Sequence, residues 1–250
     1  MNILASGVDV SFGPKKILKN LSLDAGEKRR CGIIGPNGSG KSTLLRTLHK
    51  ALEPDRGRVA LDGRDLKTYG RRELASEISV VPQHQGEIDL TVEETVQMGR
   101  YPHKKLFERL SRDENNFVRE VMTKLKIWHL KDRNVQTLSG GERQLTLLAR
   151  AMVQDTPVML LDEPTNHLDI YHQVLILDFL KTVDKLVVVV FHDLNLASGF
   201  CDRLYLMNDG RVVAEGDPAS ILTRENILEV YGLDANIMTN PATGRPLVVI

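Results

Sequence analysis

Cysteine occurs only twice in the chain, at Cys31 and Cys201, far apart and without CxxC spacing. That excludes a disulfide framework and a thiolate metal site, and leaves both as core thiols. No apolar run exceeds the six residues of 186–191, whereas a membrane-spanning helix needs about 20. There is no excess of charge of either sign, with 33 Lys plus Arg against 33 Asp plus Glu. No net positive field therefore exists to hold nucleic acid or an anionic lipid surface, and nucleic acid is not expected as a partner. The opening MNILASGVDVSF has neither the basic nor the apolar region of a secretory signal and alternates like a strand, so the protein is expected to stay inside the cell. Repeats, low-complexity tracts and Gly/Ser/Pro linkers are also missing, which argues for subdomains rather than independent domains. What is present is 250 residues with 42% hydrophobic content, enough for one large α/β domain with its own core.

Strand, turn at Gly13-Pro14 and strand are expected over residues 2–23, and a short apolar strand over 30–34 runs into a glycine-rich loop. Helical periodicity follows over 41–52, ended by Pro54, and residues 57–61 and 78–81 read as strands. From about Val92 to Val153 the pattern turns helical, with a helix start at Thr91 and helices expected over 113–127 and 142–153. Two apolar runs, 158–161 and 186–191, flank a helical stretch near 171–182, the alternation that a parallel sheet buried on both faces demands. Residues 204–207 and 211–214 read as a hairpin across Asp209-Gly210, followed by two short helices and a closing tail at 246–250.

The segment Gly35-Pro36-Asn37-Gly38-Ser39-Gly40-Lys41-Ser42-Thr43 fits GxxxxGK[ST] and lies between a strand and a helix. Glycines there let consecutive backbone N–H groups curl around a polyphosphate, and the helix presents its positive end to the same anion. Lys41 is expected to bridge the terminal phosphates and Ser42 to give its hydroxyl to Mg²⁺. The run 158–161 ends in Asp162-Glu163, at the strand edge where ligands of parallel sheets gather. Asp162 is expected to hold Mg²⁺ through its water shell and Glu163 to take a proton from an attacking water. A second strand ends at His192, which is placed either to reach a γ-phosphate or to serve as a structural hydrogen-bonding group. Ser139-Gly140-Gly141 precedes the helix expected at Glu142; read alone it is a capped helix after a turn.

In order, these segments resemble the ATP-binding cassette ATPases, the nucleotide-hydrolysing subunits of ABC transporters, along essentially the whole chain. The resemblance makes residues 35–43 the Walker A loop, LSGGE at 138–142 the signature motif and VMLLDEP at 158–164 the Walker B strand. Phe12 in VSFG corresponds to the aromatic that stacks on adenine, Gln83 in VVPQ to the Q-loop glutamine, Asp169 in NHLD to the D-loop aspartate, and His192 to the switch histidine. It implies a P-loop (RecA-like) α/β core with a mostly parallel sheet, an N-terminal antiparallel β-subdomain and an inserted helical subdomain. Residues 1–83 and 156–250 would form the nucleotide-binding core, and 84–155 the helical part. The resemblance further implies ATP and Mg²⁺ as cofactors, with Gln83 touching the metal or the attacking water. A head-to-tail homodimer follows from it too, in which Ser139, Gly140 and Gly141 of one copy close on the γ-phosphate held by the other. The implied setting is the cytoplasmic face of the inner membrane, attached through an integral permease with a substrate-binding protein on the far side.

Departures are small: Glu142 stands for the frequent Gln, Phe12 for the frequent Tyr, and Asn166-His167 for small D-loop residues. Phe12 keeps the ring face that stacking needs. MGRYPH at 98–103, HDLNLA at 192–197 and the tail NPATGRPLVVI at 240–250 resemble the importer ATPases for iron–siderophore complexes, haem and cobalamin. An exporter is the nearest alternative. An ATPase of DNA repair would carry a long coiled-coil insertion and a translation factor two cassettes, and this chain has neither.

Overall fold

The computed structural model describes every residue except 27, 28, 84, 85, 87, 88, 106 and 107; the expected start of the helical part at residue 84 lies outside the described residues. In chain order the elements are β1 (Ile3–Phe12), β2 (Lys15–Ala25), β3 (Arg30–Ile34), α1 (Lys41–Leu48), β4 (Arg56–Leu61), β5 (Arg64–Asp65), α2 (Arg71–Glu77), β6 (Ile78–Val81) and α3 (Val92–Gln97). They continue with α4 (Arg112–Lys124), α5 (Gly140–Val153), β7 (Val158–Asp162), α6 (Ile170–Lys181), β8 (Leu186–Val190), α7 (Leu194–Phe200), β9 (Arg203–Asn208) and β10 (Arg211–Gly216). The last are α8 (Pro218–Ile221), α9 (Arg224–Tyr231), β11 (Asn236–Thr239) and β12 (Pro246–Val249). Single 3₁₀ segments lie at Leu66–Thr68, Met98–His103, Trp128–Leu130 and Val135–Thr137.

Two compact units divide the chain. The first comprises Met1–Tyr69, Leu161–Glu163 and Leu186–Ile250. It contains an antiparallel sheet ordered β2-β1-β4-β5 and a parallel-rich sheet ordered β10-β9-β3-β8-β7. Strand β3 pairs in parallel with β8, Arg30 opposite Val187, and with β9, Cys31 opposite Arg203. Strands β7 and β8 are buried at every residue, which is why both read as unbroken apolar runs and not as alternation. The hairpin β9–β10 turns through Asp209 and Gly210, both at positive φ, and pairs Arg211 with Asn208. Cys31 and Cys201 are both fully buried free thiols.

Helix α1 is shorter than its periodicity suggests. It ends at Leu48 because Lys50 enters the left-handed region at φ +60°, and Ala51 and Leu52 N–H return to Arg46 O. The helical stop is therefore a local backbone reversal, four residues ahead of Pro54.

The second unit comprises Gly70–Leu160 and Pro164–Lys185. There α5 packs against α3 and α4 and buries Leu145, Leu148, Ala149, Met152 and Val153 along one stripe. Thr91, Ser111 and Ser139 each cap a helix and form a capping box with Glu94, Glu114 and Glu142, three copies of the S/T-x-x-E pattern. Among the described residues no helix is long and apolar enough to cross a membrane.

Candidate functional site

Strand β3 delivers the chain to the loop 35–40, and α1 begins at Lys41. Gly35 has φ +150°, and a Cβ there would stand 2.2 Å from Met207 O and 2.9 Å from Ser39 Oγ, so only glycine fits. The loop is held by its own and neighbouring backbone: Ser39 N–H donates to Pro36 O at 3.2 Å, and Gly210 N–H to Ser39 O at 3.1 Å. The Ser39 hydroxyl is buried with no hydrogen-bond partner among the described residues. A buried orphan hydroxyl costs about 1–3 kcal/mol, which suits a loop built to meet further oxygens.

Lys41, 5% exposed, donates from Nζ to Gly35 O at 2.9 Å and Pro36 O at 3.0 Å. Burial holds its pKa below the ordinary lysine value, while the charges of Glu163 and Asp162 pull it back up. Ser42 Oγ donates to Asp162 Oδ1 at 3.1 Å. Asp162, 8% exposed at the end of β7, has its pKa raised by burial. The bond from Ser42 opposes that rise and the Glu163 charge adds to it. The Ser42 hydroxyl and Asp162 carboxylate are hard oxygen donors of the kind Mg²⁺ takes, a cation usually held by one or two protein groups with phosphates completing the shell. Among the described residues no cluster of three or more His, Cys, Asp or Glu could hold a metal ion.

Glu163 follows with φ +49°, a left-handed turn at the strand end, and its N–H donates to Val190 O of β8 at 3.1 Å. His192 is exposed just beyond β8, and Asp193 accepts from Asn195 N–H and Leu196 N–H to start α7. Phe12, 50% exposed, ends β1. The first unit therefore contains the phosphate loop, Asp162, Glu163, His192 and Phe12.

The remaining candidates belong to the second unit. Gln83 follows β6. Gly140 and Gly141 form the first turn of α5 instead of preceding it, because Ser139 is the N-cap: its Oγ accepts from Glu142 N–H at 3.3 Å and donates to Glu142 Oε2 at 2.8 Å, and its N–H donates to the same carboxylate at 2.9 Å. The bonds from Ser139 N–H and Oγ–H hold the Glu142 pKa below the ordinary range. The glycines thus carry helix-start N–H groups, the donors an anion meets. Asp169 caps α6, accepting from His172 N–H at 2.9 Å, with His172 Nδ1 2.8 Å away; these bonds lower its pKa.

Sequence reasoning missed two features. The 98–103 segment clamps the C-terminal end of α5: Arg100 donates to Val153 O at 2.7 Å and His103 Nε2 lies 2.6 Å from Gln154 O. A Cβ on Gly99 would come 2.2 Å from Arg150 O. Tyr231 in α9 meets the Gly35 backbone through its hydroxyl, a contact for which no local pattern exists.

A strand, phosphate loop and helix with carboxylates at the end of another strand of the same sheet define a P-loop nucleotide-binding fold. Residues 18–166 match the ABC transporter family, and the chain belongs to it, as an ATPase of the ATP-binding cassette type. It is 40% identical over 245 residues to the ferric enterobactin transport ATP-binding protein FepC of Escherichia coli (strain K12), covering 96% of this chain and 90% of that one. With a siderophore transport system ATP-binding protein of Bacillus subtilis (strain 168), YusV, it shares 35% identity over 247 residues, covering 97% and 90%. Among solved structures, an ABC transporter described as of metal-chelate type, in an inward-facing conformation, superposes with a TM-score of 0.83 at 26% identity over 99% of this chain and 96% of that one. A dimeric bacterial ABC transporter cassette gives 0.75 at 29% identity, covering 86% and 98%.

Proposed function

We propose that the chain is the ATP-hydrolysing subunit of an importer for an iron–siderophore complex or related metal chelate. It would act as a homodimer bound to an integral permease at the cytoplasmic face of the membrane, with a substrate-binding protein opposite. One observation carries the reading: similarity over nine-tenths of their length to subunits named for siderophore transport.

In this reading residues 1–83 and 156–250 bind nucleotide, and 84–155 form the helical part that meets the permease. Phe12 offers a ring face to adenine. Backbone N–H groups of Gly35 and of Asn37, Gly38, Ser39, Gly40, Lys41, Ser42 and Thr43 cradle the phosphates, and Lys41 exchanges the carbonyls of Gly35 and Pro36 for phosphate oxygens. The exchange is favoured because a buried ammonium gains more from an anion than from neutral carbonyls. Ser42, Asp162 and Gln83 would hold Mg²⁺, which when bound neutralises charge on the phosphate oxygens. Glu163 accepts the proton of the attacking water, and His192 holds a γ-phosphate oxygen in line. Ser139, Gly140 and Gly141 close on the γ-phosphate of the partner copy's loop, and Asp169 acts at the same junction. Placing two half-sites on two copies makes hydrolysis conditional on dimer closure.

The test is coexpression with candidate permeases and ATPase assay with each chelate-loaded binding protein. Stimulation by a siderophore-loaded protein is the expected result. Stimulation only by a non-chelate cargo would overturn the cargo assignment.

A further inference from the structure

The polar anchors of α7, the helix that starts two residues after His192, converge on the C-terminal tail. Asn195 uses its side-chain amide as a strand partner for β12: Nδ2 donates to Val248 O at 3.0 Å, and Oδ1 accepts from Val248 N–H at 2.8 Å. Ser198 Oγ donates to Pro246 O at 2.7 Å. At the other end, Arg245 Nη1 donates to Ser198 O at 2.8 Å and to Cys201 O, the last carbonyls of the helix, where a cation is favoured. The start, middle and end of α7 are thus each tied to residues 245–248.

Helix α9 meets the phosphate loop, and the tail borders the same cavity. Tyr231 bonds the Gly35 backbone, and a cavity of about 440 Å³ is lined jointly by Asn37, His192, Tyr231, Val248 and Ile250. His192 itself is exposed; its backbone lies between Phe191, whose N–H donates to Ile33 O at 3.0 Å, and Asp193, the cap of α7. A paired amide with both groups satisfied fixes one register, and losing it leaves Val248 N–H and C=O unmatched.

We propose that Asn195 is a positioning residue for ATP hydrolysis: its paired hydrogen bonds to β12 lock α7, and through α7 the backbone that aims His192 at the γ-phosphate. The C-terminal hairpin is in this sense part of the catalytic apparatus. The inference rests on the reading of His192 given above.

Asn195→Leu removes both bonds at nearly constant size. In the full-length protein, with hydrolysis measured over a range of MgATP, kcat should fall about ten-fold while KM changes less than about two-fold, because only the placement of a transition-state contact is disturbed. Asn195→Asp, which keeps the acceptor for Val248 N–H, should recover part of the rate. The deciding measurement is a double-mutant cycle: in a His192→Ala background, Asn195→Leu should have no further effect. An unchanged kcat for Asn195→Leu, or an equal fall with and without His192, overturns the positioning role while leaving the site reading intact. A His192→Ala protein with undiminished kcat overturns both. Should Asn195→Leu fail to fold, judged by thermal melting, Arg245→Gln at the far end of α7 carries the same cycle.

Discussion

Glu163 occupies a left-handed backbone conformation that costs a non-glycine residue on the order of 1–2 kcal/mol. The strain turns the chain out of β7 immediately after Asp162, whose carboxylate accepts from the Ser42 hydroxyl. Glu163→Gln retains shape but exchanges one acceptor oxygen for an NH₂ donor and loses basicity. It should bind MgATP with near-native affinity and lower phosphate release by about 100-fold or more; native turnover in single-cycle assays would remove Glu163 from the role of base. His49 offers a separate test of residue-level electrostatics. At the end of α1, burial pushes its pKa down from 6.5 to about 4. The unfolded chain protonates near pH 6.5 while the folded one resists to about 4, so this contribution is complete above pH 6.5 and is lost as pH falls through that window. The linkage amounts to about 3 kcal/mol at most. His49→Gln should flatten the difference in denaturation midpoint between pH 7.5 and 4.5 relative to the wild type.

At the scale of elements, α5 is clamped at both ends. Its start is the Ser139–Glu142 box and its finish is the 98–103 segment against Arg150, Val153 and Gln154. Both ends matter because α5 carries the signature glycines: a helix free to fray at its C-terminal end would not hold its first turn in a single orientation. Gly99 has no room for a Cβ, whereas Gly199 in α7 has nothing within 4 Å of one. Gly99→Ala should therefore destabilise by about 1–3 kcal/mol through overpacking, and Gly199→Ala should be neutral or stabilise by about 0.5–1 kcal/mol from helix propensity, both read by urea denaturation. Equal effects at the two sites would mean that the 98–103 segment does not bear on α5.

For the molecule as a working assembly, shared sites predict complementation. Ser139→Arg and Glu163→Gln proteins should each be inactive alone. Mixed dimers contain one site with both Glu163 from one copy and Ser139 from the other, so an equal mixture should regain about a quarter of native activity, half the dimers with one of two sites working. Full activity of the Ser139→Arg protein by itself would show that each copy hydrolyses ATP without its neighbour's signature motif. Net neutrality, with 33 charges of each sign, means that such a dimer gains little from lipid charge, and its attachment falls to contacts with the permease.

Much of this was legible in the chain alone. The phosphate loop, the buried parallel strands and the helix start at Thr91 announce themselves because they depend on neighbours within a few residues: a glycine for a tight backbone, an apolar run for a doubly covered strand, a Thr three residues before a Glu. The stop of α1 at Leu48 and the inclusion of Gly140 and Gly141 within α5 were not, since both turn on backbone hydrogen bonds that periodicity does not register. Tertiary structure alone decided that Ser42 meets Asp162 across 120 positions, that Gly99 rests on α5, and that residues 245–248 stitch down the helix behind His192. Such partners are chosen by how the sheet orders its strands, and a linear pattern contains no term for distance across a sheet.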